Sequence, residues 1–298
     1  MTFQNHWARW CCPAKGIDDW VPASQIQIDP SDLGFRQAVT VVERLRTYRG
    51  RPFSVGLHHR RLLGSLRLLQ LENAFRIDAW RSNIAEILQR NPEFCHEDRD
   101  VGITFWLTPD SWALQLNPID HQAIALRQRH GQLVVMTDVR QPPGDSWSRQ
   151  AKIRCRLHYF LADRQAGVYG RDAVGVLSDD DGGITETSIA NIALIQRGHI
   201  LSPPSQSVLS GITQRWAMRL ARRQQIDWTQ TRITSNNFME ADEIMLMGTD
   251  GGIWPGHRTE EGSHTEDSAP TVRRLQRQFW KLTHGSDRVK VRRSDALR

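Results

Sequence analysis

Residues 172–195, DAVGVLSDDDGGITETSIANIALI, decide the fold. Ala173 to Leu177 is a short apolar run that reads as a strand. Asp179 to Gly183 is a tight turn of the Asp-Gly type, and Ile184 to Ile195 returns as strand-like sequence. Glu186 and Asn191 sit in that return limb. A carboxylate between Ile184 and Ile189 either meets a partner or faces solvent, and the residues alone leave both open.

Outward from this hairpin, strands and helices alternate. Upstream lie a strand at Leu133–Thr137, a loop at Gln141–Asp145, and a helical pattern over Lys152–Ala166 carried by Ile153, Leu157, Phe160 and Leu161. Downstream, Leu209–Arg223 reads as a helix and Glu243–Met247 as a strand ending in Gly248-Thr249-Asp250-Gly251-Gly252. Leu275–Leu282 is a closing helix after a polar, loop-like stretch at 257–269. In the first half, Ala38–Arg46 and Pro52–Leu57 read as a strand pair. Helices are expected over Arg60–Glu72 and Ile77–Arg90, then strands at Val101–Leu107 and Trp112–Leu116. The pattern weakens after Asn117. The expectation is a two-domain α/β (α+β) protein: a small domain over 1–117, a linker over 118–128 and a larger domain over 129–298.

The 298 residues are 39% hydrophobic and 24% charged, ordinary for a globular protein. No apolar run reaches the ~20 residues of a membrane span, and residues 1–20 lack a continuous apolar stretch. The expectation is therefore a cytoplasmic protein without a membrane partner. Cys11, Cys12, Cys95 and Cys155 form no metal-ligand spacing, so no metal is expected. The net charge of +6 is spread along the chain, with its densest run in the terminal Arg288–Arg298, which argues against a nucleic-acid partner. Lysine occurs only at 15, 152, 281 and 290; every other basic side chain is arginine. Only lysine can form an imine, which makes the isolated Lys152 notable.

Three features suit an anion or a titrating group. Gly211-Ile212-Thr213 opens a helix, where free N–H groups favour an anion; Thr213 is equally suited to be the N-cap. Thr249-Asp250-Gly251-Gly252 is either an anion-binding concavity or an ordinary glycine turn. Glu186 is the third.

Their order in the chain matters more than any one of them. The segments VVERLRTYRGRPF (41–53), HHRRLLGS (58–65), AKIRC (151–155), DAVGVLSDDDGGITETSIAN (172–191), GHILSPP (198–204), LSGITQR (209–215) and ADEIMLMGTDGGIWP (241–255) together resemble the class IV aminotransferases. That family includes branched-chain and D-amino acid aminotransferases and aminodeoxychorismate lyases, and the resemblance runs from about Asp32 to Pro255. It implies pyridoxal 5'-phosphate held by Lys152 as a Schiff base, with Glu186 beside the pyridine nitrogen. It implies that Arg61, the backbone of Ile212 and Thr213, and the Thr249 hydroxyl hold the phosphate. Asn191 would be structural. It also implies a homodimer and amino transfer between an amino acid and a 2-oxo acid, with release of pyruvate from 4-amino-4-deoxychorismate as the alternative.

The chain departs from the family pattern at Ala38 and Thr40, where glycines are usual, and at Gln214, where a basic residue is usual. Ala193 replaces an aromatic residue and Ser202 a threonine. The two aminotransferase subfamilies read a substrate carboxylate with arginines whose positions are occupied here by Thr104 and Pro109. Arg46, on the same strand face as Val42 and Arg44, is the candidate substitute.

Overall fold

The computed structural model describes residues 5–71, 79–259 and 268–285. The basic tail 288–298, the end of the helix expected to run to Glu72 and the start of the one expected from Ile77 lie outside these residues.

Two sheets organise the chain. The first is built from β1 (Trp7–Cys12), β2 (Ile17–Pro22), β3 (Val41–Tyr48), β4 (Arg51–Pro52), β5 (Gly102–Leu107) and β6 (Trp112–Asn117), in the order β2-β1-β6-β5-β3-β4. All neighbours in it are antiparallel. A short helix α1 (Leu33–Arg36) precedes β3, while α2 (Val55–Leu68) and α3 (Trp80–Gln89) cover the sheet. Leu62 and Leu66, one turn apart on α2, pack with Leu45, Trp80, Ile84, Ile103 and Phe105 in one buried cluster. Each such fully buried Leu or Ile contributes about 1.5–3 kcal/mol.

After β6 the chain passes to the second sheet through α4 (His121–His130), capped by Asp120, whose side chain accepts from the Ala123 N–H. The segment 118–128, read as a linker, is thus largely helical. The second sheet contains β7 (Gln132–Arg140), β8 (Val174–Ser178), β9 (Ile184–Thr187), β10 (Asn191–Gln196), β11 (His199–Ser202), β12 (Trp228–Gln230), β13 (Glu243–Gly248) and β14 (Gly252–His257). Their order is β12-β11-β10-β13-β14-β7-β8-β9, and β9 also pairs with β10, which closes six of the strands into a barrel-like ring. Helices α5 (Leu157–Ala166), α6 (Ile212–Arg223), α7 (Ser235–Glu240) and α8 (Pro270–His284) surround it. Trp216, Leu220, Leu275 and Phe279 from α6 and α8 pack on Met245 and Met247 of β13.

Several expectations shift. Residues 7–22 form the β1–β2 hairpin, for which no element was expected. Pro52–Leu57 is not a strand: β4 ends at Pro52 and α2 begins at Val55. The run 184–195 is two strands, turned by Thr187, whose N–H donates to the Ala190 carbonyl. Lys152 is not helical. Ile153 bridges Val41, with the Val42 N–H donating to Lys152 O and the Arg154 N–H to Thr40 O. These tertiary hydrogen bonds hold residues 152–154 extended, and α5 starts only at Leu157.

Candidate active site

The closure of the ring sets the site. The only β9–β10 register pair places Glu186 opposite Asn191, and Asn191 Nδ2 donates to Glu186 Oε2 at 3.1 Å. Asn191 also donates to the Leu209 carbonyl at 2.9 Å, which fastens the chain leading into α6. A Cβ at Gly211 would lie 1.9 Å from Asn191 Oδ1, so only glycine permits this approach.

Glu186 is buried and accepts from Tyr159 Oη (2.7 Å), Gln141 Nε2 (3.2 Å) and the Leu209 N–H (3.2 Å) besides Asn191. Burial pushes its carboxyl up despite these donors. A buried carboxylate in that position gains from a cationic partner.

Arg61, on α2, faces the same cavity. Its guanidinium forks on to Glu43, with Nε donating to Oε2 at 3.0 Å and Nη2 to Oε1 at 2.5 Å, while Nη1 donates to the Ser210 carbonyl at 3.2 Å. Glu43 is fully buried and also bonds His58 Nδ1 at 2.8 Å. Burial alone would raise the Glu43 carboxyl; the Arg61 charge and the His58 bond overcome it and hold the group at about 2. Burial lowers the His58 pKa, so the ring is neutral and donates. His58 and Arg61 are three residues apart on one helix face, which is why the His-x-x-Arg spacing serves one carboxylate.

Helix α6 begins at Ile212 with Gly211 as N-cap, no side chain capping it and no acidic residue in its first turn. Thr213 is therefore not the cap: its hydroxyl donates to the Gly248 carbonyl at 3.0 Å, pinning α6 to the end of β13. The first N–H groups of α6 remain available to an anion. Thr249, just beyond β13, lines the cavity with Arg61, Ile212 and Thr213.

Lys152 is within electrostatic reach of both Arg61 and Glu186. Its backbone N–H donates to Ser65 Oγ at 3.0 Å, and its side chain lines the same cavity as Arg61, Glu186, Thr213 and Thr249, a space of about 470 Å³. Burial, and then the Arg61 charge, lower the Lys152 amine to about 8. The structure thus brings Arg61, Lys152, Glu186, Ile212, Thr213 and Thr249 around one space. It does not bring Arg46 there. That guanidinium donates to Thr47 O and Asp250 O, pairs with Asp100 at 3.4 Å and lies over the Tyr48 ring.

Arg44 borders a second, larger space that also adjoins Lys152. It is the register partner of Thr104. Its guanidinium chelates Asp250 (2.7 and 2.9 Å) and donates to Thr104 Oγ1 (3.0 Å) and Asn117 Oδ1 (3.1 Å). A cation thus stands beside Thr104, on its cross-strand neighbour, with Asp250 as its ion-pair partner. Arg44, Glu43, Tyr159 and Gln141 escaped the sequence reading. For Glu43 a signal existed, an acid between Val42 and Leu45 in a strand whose neighbours are buried.

The departures from the family pattern are accommodated locally. Ala38 adopts φ +57°, the left-handed region that favours glycine. Ser202 is buried and accepts from Trp228 Nε1 at 2.9 Å. Ala193 is core. Gln214 is buried with its Nε2 unpartnered among the described residues.

A buried lysine amine that shares one cavity with an uncapped helix N-terminus, an arginine and a buried carboxylate, beside a closed mixed sheet, defines a site suited to a phosphorylated pyridine aldehyde. Comparison with known proteins agrees. Residues 40–258 match the family model described as amino-transferase class IV, and the chain belongs to that family. Class IV aminotransferases depend on pyridoxal phosphate. Among curated relatives, the chain is 27% identical over 254 residues to the "Probable branched-chain-amino-acid aminotransferase" of Thermotoga maritima, covering 84% of this chain and 88% of the relative. It is 25% identical over 279 residues to "Branched-chain-amino-acid aminotransferase-like protein 2" of Arabidopsis thaliana, covering 90% of this chain but spanning only half of that relative's length. It is 24% identical to the aminodeoxychorismate lyase of Bacillus subtilis over 84% of this chain and 87% of that one. The fold matches the branched-chain amino acid aminotransferase of Escherichia coli with a TM-score of 0.84 at 19% identity, covering 96% and 97% of the two chains.

Proposed function

We propose that the protein is a pyridoxal-phosphate enzyme that transfers an amino group between an amino acid and a 2-oxo acid. The observation that carries this reading is the buried Lys152 amine, which shares one cavity with Arg61, an uncapped helix N-terminus and Glu186. The cavity fits the cofactor chemically: the α6 N–H groups have no capping side chain, and the Glu186 carboxyl is pushed up by burial and stabilised by a cation.

Arg61, the N–H groups of Ile212 and Thr213, and the Thr249 hydroxyl would hold the phosphate. Glu43 aims the Arg61 fork and keeps its charge compensated. Glu186, fixed by four donors, would keep a proton on the pyridine nitrogen, since its negative charge favours the protonated form. Bound there, the cofactor supplies an electron sink for charge developing at the substrate α-carbon. Lys152 serves twice. Its amine, lowered to about 8, is the attachment point, and when free it takes and returns the proton of the substrate α-carbon.

A homodimer accompanies this reading. Leu157, Phe160 and Leu161 of α5, with Val168 and Tyr169 just after it, are exposed and form an apolar stripe that a lone chain would leave in water. The partners are small acids, and the location is cytoplasmic; among the described residues no helix is long and apolar enough to cross a membrane.

A second reading, release of pyruvate and 4-aminobenzoate from 4-amino-4-deoxychorismate, is favoured by the resemblance to the lyase. It needs the same cofactor and the same lysine. One preparation, assayed for amino transfer from leucine, glutamate and D-alanine and for pyruvate release from aminodeoxychorismate, separates the two. Transfer without pyruvate supports the first reading; pyruvate without transfer replaces it with the second.

A further inference from the structure

A second, larger space of about 1140 Å³ opens from Lys152 towards the six-stranded sheet. Five cationic side chains line it against one carboxylate, that of Asp250. Their partners differ. Arg44 is chelated by Asp250. Arg127 is forked on to Asp172, at 2.8 and 3.0 Å from Nε. Lys152 belongs to the cofactor end. Arg156 lies over the Tyr159 ring, 4.5 Å from its centroid, and donates to the Ser188 carbonyl, with no carboxylate partner among the described residues. Arg154 has a backbone bond to Thr40 and no ion pair or side-chain hydrogen bond among the described residues.

The backbone explains why these cations share a wall. Ile153 bridges Val41, so residues 152–154 are extended and alternate. Lys152, Arg154 and Arg156 all line the chamber, while Ile153 lines the smaller cavity behind. Arg156 borders both the cofactor cavity and the chamber; Arg154 borders the chamber alone. Any amino acid brings one α-carboxylate, which one arginine can read. The chamber offers a second arginine, one that does not border the cofactor cavity.

We propose that Arg154 reads a second acidic group on the substrate while Arg156 reads the α-carboxylate, so that preferred substrates are acidic amino acids and 2-oxo dicarboxylic acids. The assignment rests on the amino-transfer reading above. Two guanidinium groups within mutual influence, with Arg44 nearby, repel one another; burial and the Arg156 and Arg44 charges lower the Arg154 pKa. An anion between them relieves that repulsion and matches the planar fork of arginine. Asp250, by pairing with Arg44, leaves the chamber position away from the cofactor cavity to Arg154.

The test uses holoenzyme and two unreactive probes, glutarate and butyrate, with affinities measured by calorimetry. Wild type should bind glutarate more tightly than butyrate by roughly tenfold or more, the scale of one charge-assisted hydrogen bond. Arg154→Gln should erase most of that preference, and the ratio of kcat/KM for glutamate to that for leucine should fall by a similar factor. Arg154→Lys should restore it only in part. Because the Arg154 side chain bonds no described residue, Arg154→Gln removes no hydrogen bond of the fold. Equal affinities in wild type, or a preference untouched by Arg154→Gln, overturn the assignment. Loss of the glutarate preference in a protein that transfers no amino group from any donor sustains the anion site and overturns the amino-transfer reading instead.

Discussion

Glu43→Gln tests the part of the site that the sequence did not disclose. Glu43 is fully buried, and its carboxylate accepts from the Arg61 fork and from His58. Glutamine keeps the shape and removes the charge. Arg61, whose side chain is 6% exposed, then stays buried without its counter-ion. Removing one partner of a buried pair costs about 3–5 kcal/mol. For a chain of this size that corresponds to a fall of roughly 5–8 °C in Tm, read by calorimetry or circular dichroism on the apoprotein. The pH dependence gives a second readout. The Glu43 carboxyl is depressed to about 2 from the ordinary 4.5. Its contribution is therefore complete above pH 4.5 and is lost as pH falls from there towards 2. Glu43→Gln should flatten that portion of the acid-stability curve, and Glu43→Asp should retain it. Cofactor phosphate offers Arg61 a new negative partner, so the loss should be smaller in holoenzyme. A Glu43→Gln apoprotein within 1 kcal/mol of wild type, with an unchanged acid limb, would refute the argument that this pair is what holds Arg61.

Other outcomes follow from the same geometry. Arg61→Ala should weaken cofactor affinity by about 1.5–3 kcal/mol, measured by fluorescence titration of apoprotein; unchanged affinity would remove Arg61 from the phosphate cradle. Glu186→Gln should still bind cofactor while turnover falls by orders of magnitude, and near-normal turnover would show that no anion is needed beside the ring nitrogen. The rate at which apoprotein takes up cofactor covalently should rise with pH through about 8, where the Lys152 amine loses its proton; a flat profile between pH 7 and 9 would contradict that lowering. The same lowered pKa means the charged amine is disfavoured by folding, so Lys152→Met should stabilise apoprotein most at neutral pH and least above pH 10, as guanidinium midpoints at the two pH values would show.

The strands and helices that bear the site were legible because their apolar periodicity is strong. Leu62, Leu66 and Leu69 mark α2, and the Asp-Gly turn at 179–183 marks the β8–β9 hairpin. The β1–β2 hairpin was not, although Ala8, Trp10 and Cys12 alternate inward; Arg9 and Asp18 give the stretch a polar, irregular look. Periodicity also misread Lys152–Arg156 as helix, because the bonds that hold it extended come from Thr40 and Val42, over a hundred residues away. Alternation correctly put Arg46 on the face of Arg44 and Val42. It could not tell that Arg44 stands opposite Thr104, since cross-strand register is a property of the folded sheet and is not written in either strand. Glu43 and Tyr159 were missed for a related reason: each acts through a residue distant in sequence, Arg61 in one case and Glu186 in the other.

Chemical labelling tests most directly whether Lys152 holds the cofactor. The purified protein, loaded with pyridoxal phosphate, reduced with borohydride and digested, should yield one phosphopyridoxyl peptide, with the label on Lys152 in the AKIRC segment. A label on Lys15, Lys281 or Lys290, or no label at all, would contradict the Lys152 assignment.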